Sequence, residues 1–264
     1  MEERNPPVVT VYASARLAEG YAFARPPVHP RIIARIAAHL GITQPLACAL
    51  DVGCGAGRST DALAPIAQFA IGIEPVSTML MHCRTVAPHA QFAVARAEAL
   101  PFAAQTFDLI TAAGSLNYAD RDLFLPLVAH TLKPSGTLVV YDFSAGKRLQ
   151  DDDALAHWFA EFARRYPAQA GYALDVRTLD WARFGLRLDA YHEFEIAVPL
   201  DADAYLRYIL SETRVEHAIA RGQSEEAIRD WCAPAIQTIF GTGARQVLFT
   251  GYVAIAALGE HSRA

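Results

Sequence analysis

The stretch Ala49-Leu-Asp-Val-Gly-Cys-Gly-Ala-Gly-Arg-Ser-Thr60 constrains the fold more than any other, because an apolar run passes straight into glycines at positions 53, 55 and 57. That order predicts a buried strand, a tight loop and a helix. Strands of parallel sheets are short and almost wholly apolar, and Leu46 to Val52 fits apart from Asp51 at its carboxyl end. Glycine allows positive φ and lets a ligand approach the backbone. A helix beginning near Gly57 and running through Leu63 would turn its free N–H groups back toward the loop. A nucleotide-like ligand is the first expectation.

The same rhythm repeats. Phe69 to Pro75 predicts a second buried strand ending in an acid, Val76 to Val86 a helix, and Gln91 to Ala95 a third strand. Phe107 to Ala113 predicts a fourth strand and Arg121 to Leu132 a helix stopped by the turn Lys133-Pro-Ser-Gly136. Thr137 to Phe143 predicts a fifth strand. Strands alternating with helices imply right-handed βαβ units, a mainly parallel sheet with helices on both faces, and a binding edge at the strands' carboxyl ends.

Both flanks of this core differ from it. Before it, residues 1–45 read as a helical cover, with Ile32, Ile33, Ile36 and Leu40 at helical spacing from about His29. After Ser144, residues 144–190 and 201–240 read as helical insertions forming a substrate cap, with Asp201 and Ser224 as N-caps. The segments 191–200 and 245–258 alternate as strands that close the sheet, giving seven strands in one domain over 1–264 whose core is 46–143. Asp201 to Gly222 reads as one helix.

Charge and cysteine content narrow the function class. The net charge of −5, without a Lys/Arg cluster, offers no footprint for nucleic acid. Cys48, Cys54, Cys83 and Cys232 form no C-x-x-C pair, so neither a zinc site nor a disulfide framework is expected. Met1-Glu-Glu-Arg-Asn-Pro-Pro lacks the basic-then-apolar order of a signal peptide, and no apolar run has bilayer length, so a cytoplasmic protein without membrane association is expected.

A dinucleotide fingerprint would want its third glycine at position 58, which is Arg58. The D-V-G-x-G-x-G order resembles instead the first motif of class I S-adenosylmethionine-dependent methyltransferases, which implies a Rossmann-like α/β fold. Later segments carry the resemblance further. Glu74, followed by Pro75, stands where the family places an acid on the ribose hydroxyls. Ala97-Glu98-Ala99-Leu100-Pro101-Phe102 is similar to the segment that reads adenine, although Arg96 replaces an often-present aspartate and cannot accept a hydrogen bond. The loop Ala113 to Asp120 corresponds to the one beside the methionine end, with Ser115 toward the cofactor and Tyr118 toward the substrate. Tyr21 to Pro30 resembles the Y-x-x-x-R-P-x-Y-P stretch of a small-molecule subgroup that includes trans-aconitate and ubiquinone-pathway methyltransferases, with Val28 where tyrosine is preferred.

The resemblance therefore implies S-adenosyl-L-methionine as cofactor, S-adenosyl-L-homocysteine as product, and contacts from Tyr21, Arg25, Gly53, Gly55, Gly57, Glu74, Pro75, Ala97, Glu98 and Ser115. The acceptor would be a small molecule, methylated at oxygen, carbon or nitrogen, and the protein a monomer or homodimer. Tyr118, Tyr172 and His217 are candidate substrate residues. For a base, His157, His192, His217, Glu212, Tyr118 and Tyr172 qualify by type; for a carboxylate acceptor, Arg207 or Arg214. A non-catalytic S-adenosylmethionine-binding regulator and a nicotinamide-dependent oxidoreductase are the alternatives.

Overall fold

The computed structural model describes residues 9–168 and 174–259. Among the described residues three helices come first: α1 (Val9–Tyr12), α2 (Ala15–Phe23) and α3 (Val28–His39). Ser14 caps α2 by accepting the Leu17 N–H, one of the donors a helix start leaves free. On α3 the residues Val28, Ile32, Ile33 and Ile36 share one face and are fully buried against the sheet, each burial being worth about 1.5–3 kcal/mol.

The alternating core follows: β1 (Leu46–Val52), α4 (Arg58–Asp61), β2 (Ala67–Glu74), α5 (Cys83–Val86), β3 (Gln91–Val94), β4 (Phe107–Ala113), α6 (Arg121–Thr131) and β5 (Leu132–Phe143). Two expected helices shrink. The one after the glycine loop is a single turn, because Pro65 has no N–H to give to the Asp61 carbonyl. The one expected over 76–86 is a 3₁₀ turn at Ser77–His82 followed by α5. The expected turn at 133–136 lies inside β5, where the register with β4 jumps from Phe107 opposite Leu132 to Leu109 opposite Thr137.

The second half contributes β6 (Arg148–Leu149), α7 (Ala154–Arg165), β7 (Leu186–Leu200), α8 (Ala202–Leu210), α9 (Thr213–Ala220), α10 (Glu225–Phe240) and β8 (Arg245–Leu258). Among the described residues the sheet has eight strands, not the expected seven, in the order β3-β2-β1-β4-β5-β8-β6 with β7 on the other side of β8. The additional strand is β6, two residues that pair with Val247 and Leu248 and are too short to show a period. Strands β1 to β5 run parallel and β8 runs antiparallel to β5, β6 and β7, so the architecture is the expected Rossmann-like α/β sheet with helices on both faces.

One apolar layer joins α3 and helices α7 to α10 to Ala49, Leu109, Val139 and Tyr141; the other joins α6 to Leu50, Val52, Ile110 and Val140. Where one helix was expected over 201–222, the chain breaks at Ser211-Glu212 between α8 and α9. The Arg25 guanidinium takes up the Ser211 carbonyl at 2.9 Å and the Glu212 carboxylate at 2.8 Å, so a contact nearly two hundred residues away in sequence interrupts the helix. Asp201 and Ser224 cap α8 and α10 as expected, accepting from Ala204 and Ala227. Between 147 and 185 the described helical structure is α7 plus two 3₁₀ turns, at Val176–Thr178 and Trp181–Phe184.

Candidate functional site

All three glycines of the loop adopt left-handed backbone, with φ of 72° at Gly53, 54° at Gly55 and 91° at Gly57. Their surroundings differ. A Cβ on Gly53 would stand 2.4 Å from Ser115 Cβ, and one on Gly57 would stand 3.1 Å from the Phe92 ring, so both positions are closed by packing. A Cβ on Gly55 would meet only the Met79 methyl at 3.5 Å, which leaves that side of the loop open to a ligand.

Beneath the loop, Asp51 is fully buried and accepts hydroxyl hydrogen bonds from Ser59 (2.6 Å), Thr60 (2.7 Å) and Thr111 (2.9 Å). Burial raises its carboxyl pKa, and the three hydroxyls counter that only in part. The carboxylate ties the single turn of α4 to the end of β1. A turn this short carries little dipole, so the loop's backbone groups, rather than a helix end, set the local polarity. Asp51 had one sequence signal, a charge at the end of an otherwise apolar strand.

Glu74 ends β2 beside this loop. Its Oε2 accepts the Gly55 N–H at 3.1 Å and its Oε1 the Val76 N–H at 3.0 Å, so loop and strand end hold the carboxylate in one orientation, with Pro75 between. It is 8% exposed, and desolvation raises its pKa above the usual range. Each oxygen keeps acceptor capacity for a further hydroxyl. Ser115 covers Gly53 and donates from Oγ to the Val52 carbonyl at 2.6 Å, joining the β4 loop to the glycine loop. Ala97 packs into the α6-side apolar layer. Glu98 accepts the Asp120 N–H at 2.9 Å and pairs with Arg96 at 3.4 Å, so its carboxylate already braces the start of α6.

The amino-terminal segment brings Tyr21 and Arg25 to the same side of the sheet. The Arg25 guanidinium lies 4.0 Å from the Tyr21 ring centre and pairs with Glu212, while its Nε is buried without a partner. Arg16 forms a second ion pair with Glu216, and Arg58 donates to the Ala22 carbonyl at 3.0 Å. Tyr12 touches both Tyr21 and Tyr118 edge-on, and its hydroxyl lies 3.3 Å from that of Tyr118. Asn117 Oδ1 is buried without a partner. His29, which the sequence reading did not single out, bonds through Nδ1 to the Tyr141 hydroxyl at 2.9 Å. Burial, with Arg58 and Arg25 nearby, pushes its pKa down to about 3.

The remaining expected residues do not gather here. His217 lies on α9 with Nδ1 unpartnered and its pKa lowered by burial and then Arg221. His157 is exposed on α7, and His192 faces His39 on β7, ring centres 4.8 Å apart. Arg207 is exposed on α8, and Arg214 donates to the Tyr166 carbonyl within the cap. Tyr172 lies outside the described residues.

Residues 50–140 match the family model described as a methyltransferase domain. The ubiquinone/menaquinone biosynthesis C-methyltransferase UbiE of Teredinibacter turnerae is 47% identical over 55 residues, covering 20% of this chain and 22% of that protein. The uncharacterized methyltransferase YcgJ of Bacillus subtilis is 29% identical over 217 residues, covering 71% of this chain and 81% of that protein. The chain spans less than two thirds of the length of the first three curated relatives it matches, from 22% to 63%. The solved structure of a proposed type II methyltransferase from Anaeromyxobacter dehalogenans has the same fold, with a TM-score of 0.62 at 22% identity over 85% of this chain and 95% of that one. The glycine loop, Glu74 and Ser115 all fall inside the matched stretch, so the segment that builds this site is the one similar to a methyltransferase domain.

Proposed function

We propose that this chain transfers a methyl group from S-adenosyl-L-methionine to a neutral small-molecule acceptor. The observation that carries the reading is Glu74, an enclosed carboxylate oriented by the N–H groups of Gly55 and Val76 beside the open side of the glycine loop. Two adjacent ribose hydroxyls are the ligand that a carboxylate so held accepts best. Gly53, Gly55 and Gly57 would wall the methionine side, with Ser115 behind them. Tyr21, Arg25, Pro75, Ala97 and Glu98 complete the proposed contacts. The donor supplies an electrophilic methyl carbon on a sulfonium.

The chain's own work is alignment and exclusion of water. Holding acceptor and donor in line can lower the barrier by about 7–11 kcal/mol without a strong catalytic side chain. Tyr12, Tyr21 and Tyr118 would shield the amino-terminal side. A neutral acceptor is favoured because the arginines around the loop are already committed: Arg58 donates to the Ala22 carbonyl, and Arg25 is neutralised by Glu212 and bonded to the Ser211 carbonyl. The name of the UbiE relative, a C-methyltransferase of quinone biosynthesis, supports an organic acceptor of this kind.

Calorimetry with S-adenosylmethionine and with NAD tests the cofactor: binding of the first alone is expected, and binding of NAD alone would refute the proposal. Transfer of labelled methyl to a panel of phenols, enols, amines and carboxylic acids then tests catalysis. Turnover of any acceptor separates an enzyme from a non-catalytic binding regulator, and turnover of carboxylic acids alone would overturn the neutral-acceptor reading. A cytoplasmic monomer or homodimer acting without nucleic acid or membrane belongs to the same proposal. No helix among the described residues is long and apolar enough to cross a membrane.

A further inference from the structure

The carboxylates around the glycine loop are nearly all occupied. Asp51 takes three hydroxyls, Glu74 two backbone N–H groups, Glu98 the Asp120 N–H and Arg96, and Glu212 the Arg25 guanidinium. Asp142 is different. It sits at the carboxyl end of β5, partly buried, and its Oδ1 accepts the N–H of its own neighbour Phe143 at 2.7 Å. Among the described residues no cation pairs with it and no hydrogen bond reaches Oδ2.

Its position connects it to the loop. A Cβ on Gly114 would lie 3.2 Å from Asp142 Oδ1, and Gly114 itself has a φ of 64°. The next residue, Ser115, is the one that covers Gly53. The sequence of contacts Asp142, Gly114, Ser115, Gly53 thus runs from a carboxylate whose second oxygen, Oδ2, takes no hydrogen bond among the described residues to the wall of the proposed cofactor site.

We propose that Asp142 is the proton acceptor of this site, taking the proton of a neutral hydroxyl or acidic-carbon substrate as that atom is methylated. The inference rests on the methyltransferase reading above. The acceptor's bond to hydrogen breaks, the electron pair freed at that atom forms the new bond to carbon, the carbon–sulfur pair stays on sulfur, and the proton ends on Asp142 before passing to solvent. Desolvation raises the Asp142 carboxyl above the usual range, in the direction that strengthens a base. The titratable group facing it is Tyr252, its partner on β8. Beyond Tyr252 lie Tyr191, stacked on it, and Asp175, which is paired with Arg177 at 2.9 Å. The cation of this group, Arg177, is held by Asp175 and lies over the Tyr191 ring.

The test is a carbon-13 NMR titration of protein labelled at the aspartate side-chain carboxyls, with Asp142→Asn assigning the signal. Asp142 is expected to titrate above the ordinary aspartate range, and to titrate lower with S-adenosylmethionine bound than with S-adenosylhomocysteine, because only the former brings a positive sulfonium. An ordinary midpoint, or one identical in the two complexes, would overturn the proposal. Wild-type protein that binds neither ligand would overturn the underlying functional reading instead, and the two failures are distinguishable. On any acceptor found in the labelled-methyl panel, Asp142→Asn should reduce kcat by about 10²–10⁴-fold. It should also remove the acidic limb of the pH profile and leave the Kd for S-adenosylmethionine within about threefold, while Asp142→Glu restores part of the rate. Turnover of Asp142→Asn at the wild-type rate would refute the assignment.

Discussion

Replacing Gly53 with alanine probes the closest approach in the candidate site. Two costs add. At a φ of 72° an L side chain costs about 1–2 kcal/mol. The new Cβ would also fall 2.4 Å from Ser115 Cβ, well inside the usual carbon–carbon contact. Ser115 cannot yield cheaply, because its Oγ is fixed to the Val52 carbonyl at 2.6 Å, and forced overpacking of this kind costs about 1–3 kcal/mol. Gly53→Ala should therefore destabilise the protein by about 2–5 kcal/mol. Ser115→Gly alone should cost about 1–2.5 kcal/mol, from the lost hydrogen bond and the added backbone freedom. In the double variant the backbone strain remains and the clash is gone, so the two changes should couple favourably by about 1–3 kcal/mol. Urea unfolding of all four proteins at constant m-value measures the cycle. A coupling below about 0.5 kcal/mol would refute the reasoning, since it would mean that the two loops do not press on each other.

Glu74→Gln should weaken S-adenosylmethionine binding in calorimetry by roughly 10- to 100-fold. Its melting temperature should change little or rise, because a desolvated charge is removed; unchanged affinity would take Glu74 out of the site. Arg25→Ala should cost about 2–4 kcal/mol by leaving Glu212 enclosed and unpaired, and Arg25→Ala with Glu212→Ala should cost less than the sum of the single changes; additive losses in urea unfolding would contradict the pairing. For His29 the folded midpoint near 3 lies below the unfolded value of about 6.5. The folded state thus favours neutral imidazole: its contribution is fully present above pH 6.5 and is lost as pH falls toward 3, by no more than about 5 kcal/mol. His29→Gln should flatten the stability profile in that window, and an unaltered slope would place the titrating group elsewhere.

Much of the cofactor half was legible in the sequence because its signals are local. A buried parallel strand is an apolar run, a left-handed loop needs glycine, and an acid at a strand end is visible as a single letter; β1, β4 and the loop at 53–57 lie where those patterns predict. Local pattern also misled where a distant group intervened. The stretch 201–222 has helical periodicity throughout, yet Arg25 interrupts it at Ser211-Glu212, and β6 has too few residues to carry any period.

The chain's sequence by itself thus determined the alternating α/β core and the glycine loop. Tertiary structure alone decided which side chains are free to act there. It closed Gly53 with Ser115, bonded across 63 positions to Val52, neutralised Arg25 with a glutamate 187 positions away, and dispersed the histidines. It set Asp142 against Gly114 through Oδ1 and left its Oδ2 without a hydrogen bond among the described residues. Backbone conformation is dictated within a few residues, whereas the availability of a charge depends on every group folded against it, and that sum exists only once the chain has closed.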